Sequence, residues 1–430
     1  MEVDIMDLEM KQSKRQMYLL ILSTMISMLG VSIYSFGISF YILSATGSAK
    51  LFSINLAMSV LGRIVVTPLS GYLADNFDRK KVIFWSIFIE AILVFLLLLY
   101  IHFLGFNIIA LYIVTFFAAF ISSASNPSFM AAIPHIVHGE HLQKTMGYNS
   151  TASSLSMLLG PVLGGLLYGF VSKELFLFIF VIAYICASLV ILMINFKLFQ
   201  KDDAVDSNDA IIEEEGVFKS FKYGLQYIWH HEILRTLLIL FMSLNFFVSG
   251  INIGMSKIII GHFEASSEMM GILEASFSVG VLIGGIIIGN KKKFDNPFPM
   301  LKKGLLLEGV FLIVISLPLL LMNSLWPVYI TFFICGLLLG VTAQFVNTPL
   351  FVFFQEHIEA RVQGRVFSVI NLTAQLLMPI SYIIFGIIFD QGYYGITFLV
   401  CGVSCIVLVL SVMNQKFSMR SNKFLNQTSH

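Results

Sequence analysis

The sequence has little charge. Asp, Glu, Lys and Arg make up 12% of its 430 residues, against about a quarter in an ordinary soluble domain, which excludes a water-soluble globular fold. Its net charge is +1, so no basic excess points to nucleic acid as a partner. Cysteine is scarce as well. Cys186, Cys335, Cys401 and Cys405 all fall inside apolar runs without metal-type spacing, which excludes a disulfide scaffold and reads as reduced, buried thiols. The opening stretch MEVDIMDLEMKQSKRQ is acidic before it turns basic. It lacks the basic start and cleavage site of a signal peptide, so the first apolar run is expected to remain as a span. No glycine-rich phosphate loop, nucleophile triad or metal-ligand cluster is present, so neither an enzyme nor a cofactor or metal is expected. His135, His138 and His141 sit three apart in a polar stretch and are expected to be solvated rather than metal-bound.

What the chain has instead is long apolar runs. Hydrophobic residues make up 57% of it and aromatics 14%, with a mean hydropathy of +0.88. A helix needs about 20 mostly apolar residues to cross a bilayer. By that measure the chain holds twelve spans, near 17–42, 50–73, 81–103, 106–128, 148–171, 174–196, 235–260, 268–289, 301–322, 326–350, 365–388 and 393–414. The expectation is an all-α membrane protein embedded in a lipid bilayer. Lys and Arg crowd one set of span ends, from Lys11, Lys14 and Arg15 through Arg79, Lys80 and Lys81 to Lys416, Arg420 and Lys423. The opposite loops hold Lys50 and Lys173. This bias predicts a multi-pass protein of the cytoplasmic membrane with both termini inside.

The stretch GYLADNFDRKK, Gly71 to Lys81, packs five charges between two nearly uncharged runs and predicts a tight loop at one membrane surface. It reads G-x-L-A-D-x-x-x-R-K, and so resembles the loop between the second and third helices of the major facilitator superfamily of secondary transporters. An offset of about 218 residues lays the seventh span on the first and the degenerate loop GNKKKFDNPF over the Gly71 stretch; the second copy has Lys293 where the first has Asp75. The resemblance implies the major facilitator fold, twelve transmembrane helices in two pseudo-symmetric six-helix halves. The expected divisions are a first bundle over 1–196, a linker over 197–234, a second bundle over 235–414 and a tail over 415–430. The linker opens with an acidic run, Asp202 to Glu215. It continues as GVFKSFKYGLQYIWHHEIL, where Phe218, Phe221, Leu225, Ile228 and Trp229 share a face, which predicts an interfacial amphipathic helix or, alternatively, a solvated linker.

Three further stretches, from Asn126 to Gly165, Phe277 to Gly289 and Phe354 to Val369, resemble the macrolide-efflux-like branch of the drug:proton antiporters, which includes siderophore exporters. Gly160, Pro161, Gly164 and Gly165 form G-P-x-x-G-G in the fifth span, similar to the motif typical of exporters. Small residues there allow close helix approach and proline bends the helix; ordinary packing is the alternative. The resemblance implies a gate in which Gly71, Asp75, Arg79 and Lys80 meet the start of the eleventh helix at Arg365, the Asp capping its N-terminus. One departure is that many such antiporters carry an arginine in the fourth span, near Ala118, where this chain has no charge.

Charges inside a bilayer cost at least ~2.5–3.5 kcal/mol each on insertion scales, so each calls for a partner or a task. Arg63 and Glu90 lie about equally far from the Gly71 loop and are read as an ion pair, or as two unrelated residues. Lys257 and Glu274 are read in the same way on the other side. Glu90 and Glu308, related by the repeat, and Glu274 as a third, are the proton-coupling candidates, because a carboxyl taken out of water can exchange a proton. Taken together the sequence predicts a monomeric carrier exporting a small hydrophobic or amphipathic molecule, drug or macrolide-like, by alternating access, in exchange for protons, with the proton gradient as energy source. The alternatives are a siderophore or metabolite exporter, an uptake symporter, or a non-transporting membrane sensor.

Overall fold

The computed structural model describes residues 2–199, 217–291, 296–322, 324–358 and 360–428. The acidic run of the linker, Asp202 to Glu215, and Lys292 and Lys293 lie outside the described residues. So do the side chains of Gly71, Asp75, Phe218, Gly364 and Arg365. The chain is helical along nearly its whole described length: α1 (Glu2–Thr46), α2 (Ala49–Asn76), α3 (Arg79–Leu104), α4 (Ile108–Ile136), α5 (Gly139–Phe170) and α6 (Lys173–Met193); then α7 (Val217–His230), α8 (Glu232–Ser256) with a π-helical extension Lys257–His262, α9 (Ser267–Gly289), α10 (Phe298–Leu321) and α11 (Leu325–His357); then α12 (Ala360–Leu376), α13 (Met378–Asp390), α14 (Tyr394–Val412) and α15 (Gln415–Thr428). Among the described residues 12 helical stretches are long and apolar enough to cross a membrane, with Val369–Asp390 shared by α12 and α13. Pro379 sits in the first turn of α13, where its missing N–H is harmless, and it marks the break between the two.

The turns are shorter than the sequence suggests. The stretch read as a loop from Gly71 is helical up to Asn76, and α3 restarts at Arg79, so Phe77 and Asp78 alone lie between. Asp78 makes the restart possible: its Oδ1 accepts from Lys81 N at 3.1 Å, supplying a partner to one of the free first-turn amides. Asn107 does the same for α4 at 2.9 and 3.3 Å, and Ser172 for α6 at 3.2 Å. In lipid no water satisfies these groups, so such caps decide where a span can end. The amphipathic linker helix forms as α7; among its described side chains Gly224 and Ile228 are buried, while Leu225 and Trp229 stay exposed.

Two compact units result. Unit 1 comprises Met1–Ile38 and Met58–Lys219; unit 2 comprises Ser39–Ala57 and Ser220–His430. In unit 1, α3 packs on α4 and α6. A Cβ at Gly62 of α2 would stand 2.4 Å from the Phe116 carbonyl oxygen of α4, so only glycine lets those backbones touch. In unit 2, α9 packs on α11 and α10 on α14. A Cβ at Gly280 would stand 2.0 Å from the Leu337 carbonyl oxygen. Gly62 and Gly280 are related by the same offset of about 218 residues, so the repeat places the same kind of contact in both units. Between helices in lipid such close van der Waals contact replaces the hydrophobic effect as the source of adhesion. Their outward faces are apolar: Trp85, Phe95, Phe103, Ile113 and Phe117 are exposed in unit 1, and Ile286, Leu321, Trp326 and Val407 in unit 2.

Candidate functional site

Within unit 1 one carboxylate lies deep among apolar side chains. Glu90, midway along α3, is 4% exposed. Ile83, Ile87, Ala91 and Val94 are buried on the same helix. Ser122 of α4 lies within hydrogen-bonding reach of the Glu90 carboxyl group. Tyr34 of α1 and Tyr184 of α6 lie within reach of its charge. Tyr34 continues into an aromatic wall, edge-on to Phe180 at 5.8 Å, with Phe180 against Phe176 at 4.8 Å. Among the described residues the Tyr34 hydroxyl is buried without a hydrogen-bond partner, and so are Thr115 Oγ1, Ser128 Oγ and Asn149 Oδ1, all in this unit. A buried polar atom left unmatched costs about 1–3 kcal/mol, and Tyr34, one of these four, is also within reach of the Glu90 charge.

The other charges expected inside the membrane fall differently. Arg63 is exposed on α2, whereas Glu90 is buried. Lys257 does not pair with Glu274. Its Nζ lies 3.1 Å from Asp390 Oδ1 at the end of α13, and it donates to the Gly47 carbonyl. Lys257 opens the π-helical extension of α8, and α8 packs on α13, while Glu274 is half-buried on α9. Glu308 is half-buried on α10, near Cys405 of α14. Glu90 belongs to unit 1 and Glu274 and Glu308 to unit 2; among the described residues Ser122, Tyr34 and Tyr184 lie about Glu90.

Arg79 and Lys80 have partners that the sequence did not reveal. Arg79 Nη1 donates to the Ala131 carbonyl at 3.1 Å, and Lys80 Nζ donates to the Leu192 and Ile194 carbonyls, each at 2.8 Å. Lys80 therefore holds the C-terminal end of α6, where a cation is favoured by free carbonyls and the helix dipole. In unit 2, Lys302 Nζ donates to the Met413 carbonyl at 2.7 Å, closing the end of α14 in the same way. The expected contact of Asp75 with the start of the eleventh helix at Arg365 lies outside the described residues. Gly160 and Gly164 of α5 receive α1: a Cβ at Gly160 would stand 2.3 Å from Ser32 Cβ, and one at Gly164 3.0 Å from the Phe36 ring. Pro161 is inside α5 and Gly165 is buried beside it. His138 Nδ1 accepts from Glu140 N at the start of α5, and His141 Nδ1 bonds Ser13 Oγ at 2.8 Å.

The chain matches the family model described as Major Facilitator Superfamily over residues 20–382. It belongs to that superfamily. This facilitator is 25% identical to "Macrolide efflux protein A" of Streptococcus pyogenes over 91% of this chain and 94% of that protein. It is 21% identical to "Staphyloferrin A transporter" of Staphylococcus aureus over 95% and 98%. Among solved structures it resembles a bacterial homologue of the iron transporter ferroportin in an inward-facing state, with a TM-score of 0.68 at 17% identity, covering 93% of this chain and 99% of that one. It also resembles a D-xylose-proton symporter, with a TM-score of 0.67 at 12% identity, covering 92% and 96%. At those identities the structures show the fold, the major facilitator fold expected from the Gly71 stretch and the repeat. The facilitator is a multi-pass membrane transporter similar to macrolide-efflux proteins.

Proposed function

We propose that this facilitator exports a small hydrophobic or amphipathic molecule, drug or macrolide-like, in exchange for protons, and that Glu90 is the group that binds the proton. The observation that carries the proposal is Glu90 itself: a carboxyl buried among α1, α3, α4 and α6, with Ser122, Tyr34 and Tyr184 about it. An acid at that depth is costly unless it works, and a carboxyl that gains and loses a proton is the simplest work it can do. Similarity to macrolide-efflux proteins supports the cargo class, and the Gly160–Gly165 stretch supports the direction. Similarity to a staphyloferrin A transporter favours a second reading, a polar siderophore as cargo.

Purified protein in proteoliposomes with an imposed pH gradient tests the proposal. Adding members of a panel of macrolides, other drugs and siderophores is expected to collapse the gradient for the apolar compounds, and Glu90→Gln to abolish the response while leaving binding of the compound. A gradient unaffected by every compound removes proton-coupled export; collapse by siderophores alone selects the second reading. Collapse that persists in Glu90→Gln moves the proton site to Glu274 or Glu308.

A further inference from the structure

The start of α2 is held by a residue more than three hundred positions away. Asp390, the last residue of α13, accepts three hydrogen bonds there: from Ala49 N to Oδ1 at 2.6 Å, from Lys50 N to Oδ2 at 2.9 Å, and from Ser48 Oγ to Oδ2 at 2.6 Å. Ser48 supplies the remaining first-turn partners, with Leu51 N donating to its Oγ at 3.3 Å and Phe52 N to its carbonyl at 3.2 Å. The four amides that a helix leaves free at its N-terminus are thus all matched, two of them only through Asp390. Lys257 completes the arrangement by bridging Asp390 and the Gly47 carbonyl. Beneath it Gly386 of α13 lies so close to α2 that a Cβ there would stand 2.0 Å from Ser53 Oγ.

These contacts explain why Ser39–Ala57 groups with unit 2 while the rest of α1 and α2 belongs to unit 1. At its other end α1 is fixed within unit 1: Ser13 Oγ accepts from His138 N at 2.8 Å, and Gln16 Oε1 accepts from Asn195 N at 3.1 Å. Ser13 is fully buried. The Asp390 end is different in kind. Its side chain is 26% exposed, so water can take over its hydrogen bonds as they break.

We propose that Asp390, positioned by Lys257, is a releasable clasp on the Ser39–Ala57 turn, and that opening of this end of the transporter proceeds by withdrawing the first turn of α2 from the Asp390 carboxylate. Asp390 and Lys257 are positioning residues: they touch no cargo and set which conformation the carrier rests in. The proposal rests on the transport reading above, but its test does not need a cargo.

Spin labels at Ala45→Cys and Tyr393→Cys, both exposed sites, in full-length protein lacking the four native cysteines and held in lipid nanodiscs, report the distance across the clasp. The parent is expected to give one short distance. Asp390→Asn and Asp390→Ala are expected to raise a longer-distance population about tenfold, the effect of losing a charge-assisted acceptor. Asp390→Glu, which keeps the carboxylate, is expected to stay with the parent. Identical distributions in Asp390→Ala and the parent overturn the clasp, as does an Asp390→Glu that opens as far as Asp390→Ala. The charge-swapped pair Lys257→Asp with Asp390→Lys is also informative. It keeps an ion pair but aims an ammonium at α2's free amides, so it is expected to open; a swap that restores the short distance refutes capping as the cause. A shifted distance alongside a failed gradient assay leaves the clasp standing and removes the export reading, and the converse removes the clasp alone.

Discussion

At the scale of single residues, Tyr34 separates function from packing. Its ring is buried and well packed against Phe180, but its hydroxyl has no hydrogen-bond partner among the described residues. Removing a buried, unmatched hydroxyl while keeping the ring relieves a cost of about 1–3 kcal/mol. Tyr34→Phe is therefore expected to leave the melting temperature in detergent unchanged or slightly raised. If the hydroxyl meets the cargo or the Glu90 proton during the cycle, the same variant loses transport several-fold at full stability, measured in the gradient assay. Glu90 was legible in the sequence because a lone acid in a long apolar run is costly anywhere along it. Its partners were not. Arg63 is as close in sequence terms as Ser122, and the sequence does not show that Arg63 is exposed on α2 while Glu90 is buried on α3. Lys257 was misassigned for a related reason: the short loop to Glu274 suggested a local pair, whereas Asp390 approaches from a distant element.

At the scale of elements, the helix positions follow from apolar runs, and the sequence placed them well. Their ends were harder to place, because a polar stretch such as Gly71–Lys81 satisfies a helix as readily as a loop, and one cap at Asp78 fixes the break. The contact of α5 on α1 gives a test in which two effects oppose. Gly160→Ala gains up to about 1 kcal/mol of helix propensity. It also places a methyl 2.3 Å from Ser32 Cβ, an overlap that no side-chain rotation removes, and overpacking of this kind costs about 1–3 kcal/mol. Overlap should win: Gly160→Ala is expected to lower the melting temperature and slow transport, and Ser32→Gly in the same chain to restore both. Restored stability without restored transport would separate packing from motion. Lys80 offers a milder case. Lys80→Met keeps the apolar stem and deletes the two bonds to the α6 carbonyls, and a loss of about 1–3 kcal/mol is expected, read as faster thermal inactivation.

At the scale of the whole molecule, orientation in the membrane ties the proposals together. α3 is the element to ask. Its 26 residues rise about 1.5 Å each, roughly 39 Å, enough to cross a hydrocarbon core of about 30 Å. Arg79, Lys80 and Lys81 stand at one end and no Lys or Arg at the other. Unit 2 adds a second instance: Lys302 in α10 is bonded to the end of α14 as Lys80 is to α6. Cations that both anchor to helix carbonyls and crowd one surface are expected on the cytoplasmic side. Single cysteines at Phe77 and Phe103, 54% and 75% exposed at the two ends of α3, make this measurable in a background without the native thiols. In intact cells a membrane-impermeant maleimide is expected to modify Phe103→Cys and to spare Phe77→Cys, with both reacting once the membrane is permeabilised. The opposite pattern would put the basic end of α3 outside. Asp390 and the start of α2 would then face the cytoplasm, and the clasp would guard the entry of an exporter's cargo rather than its exit.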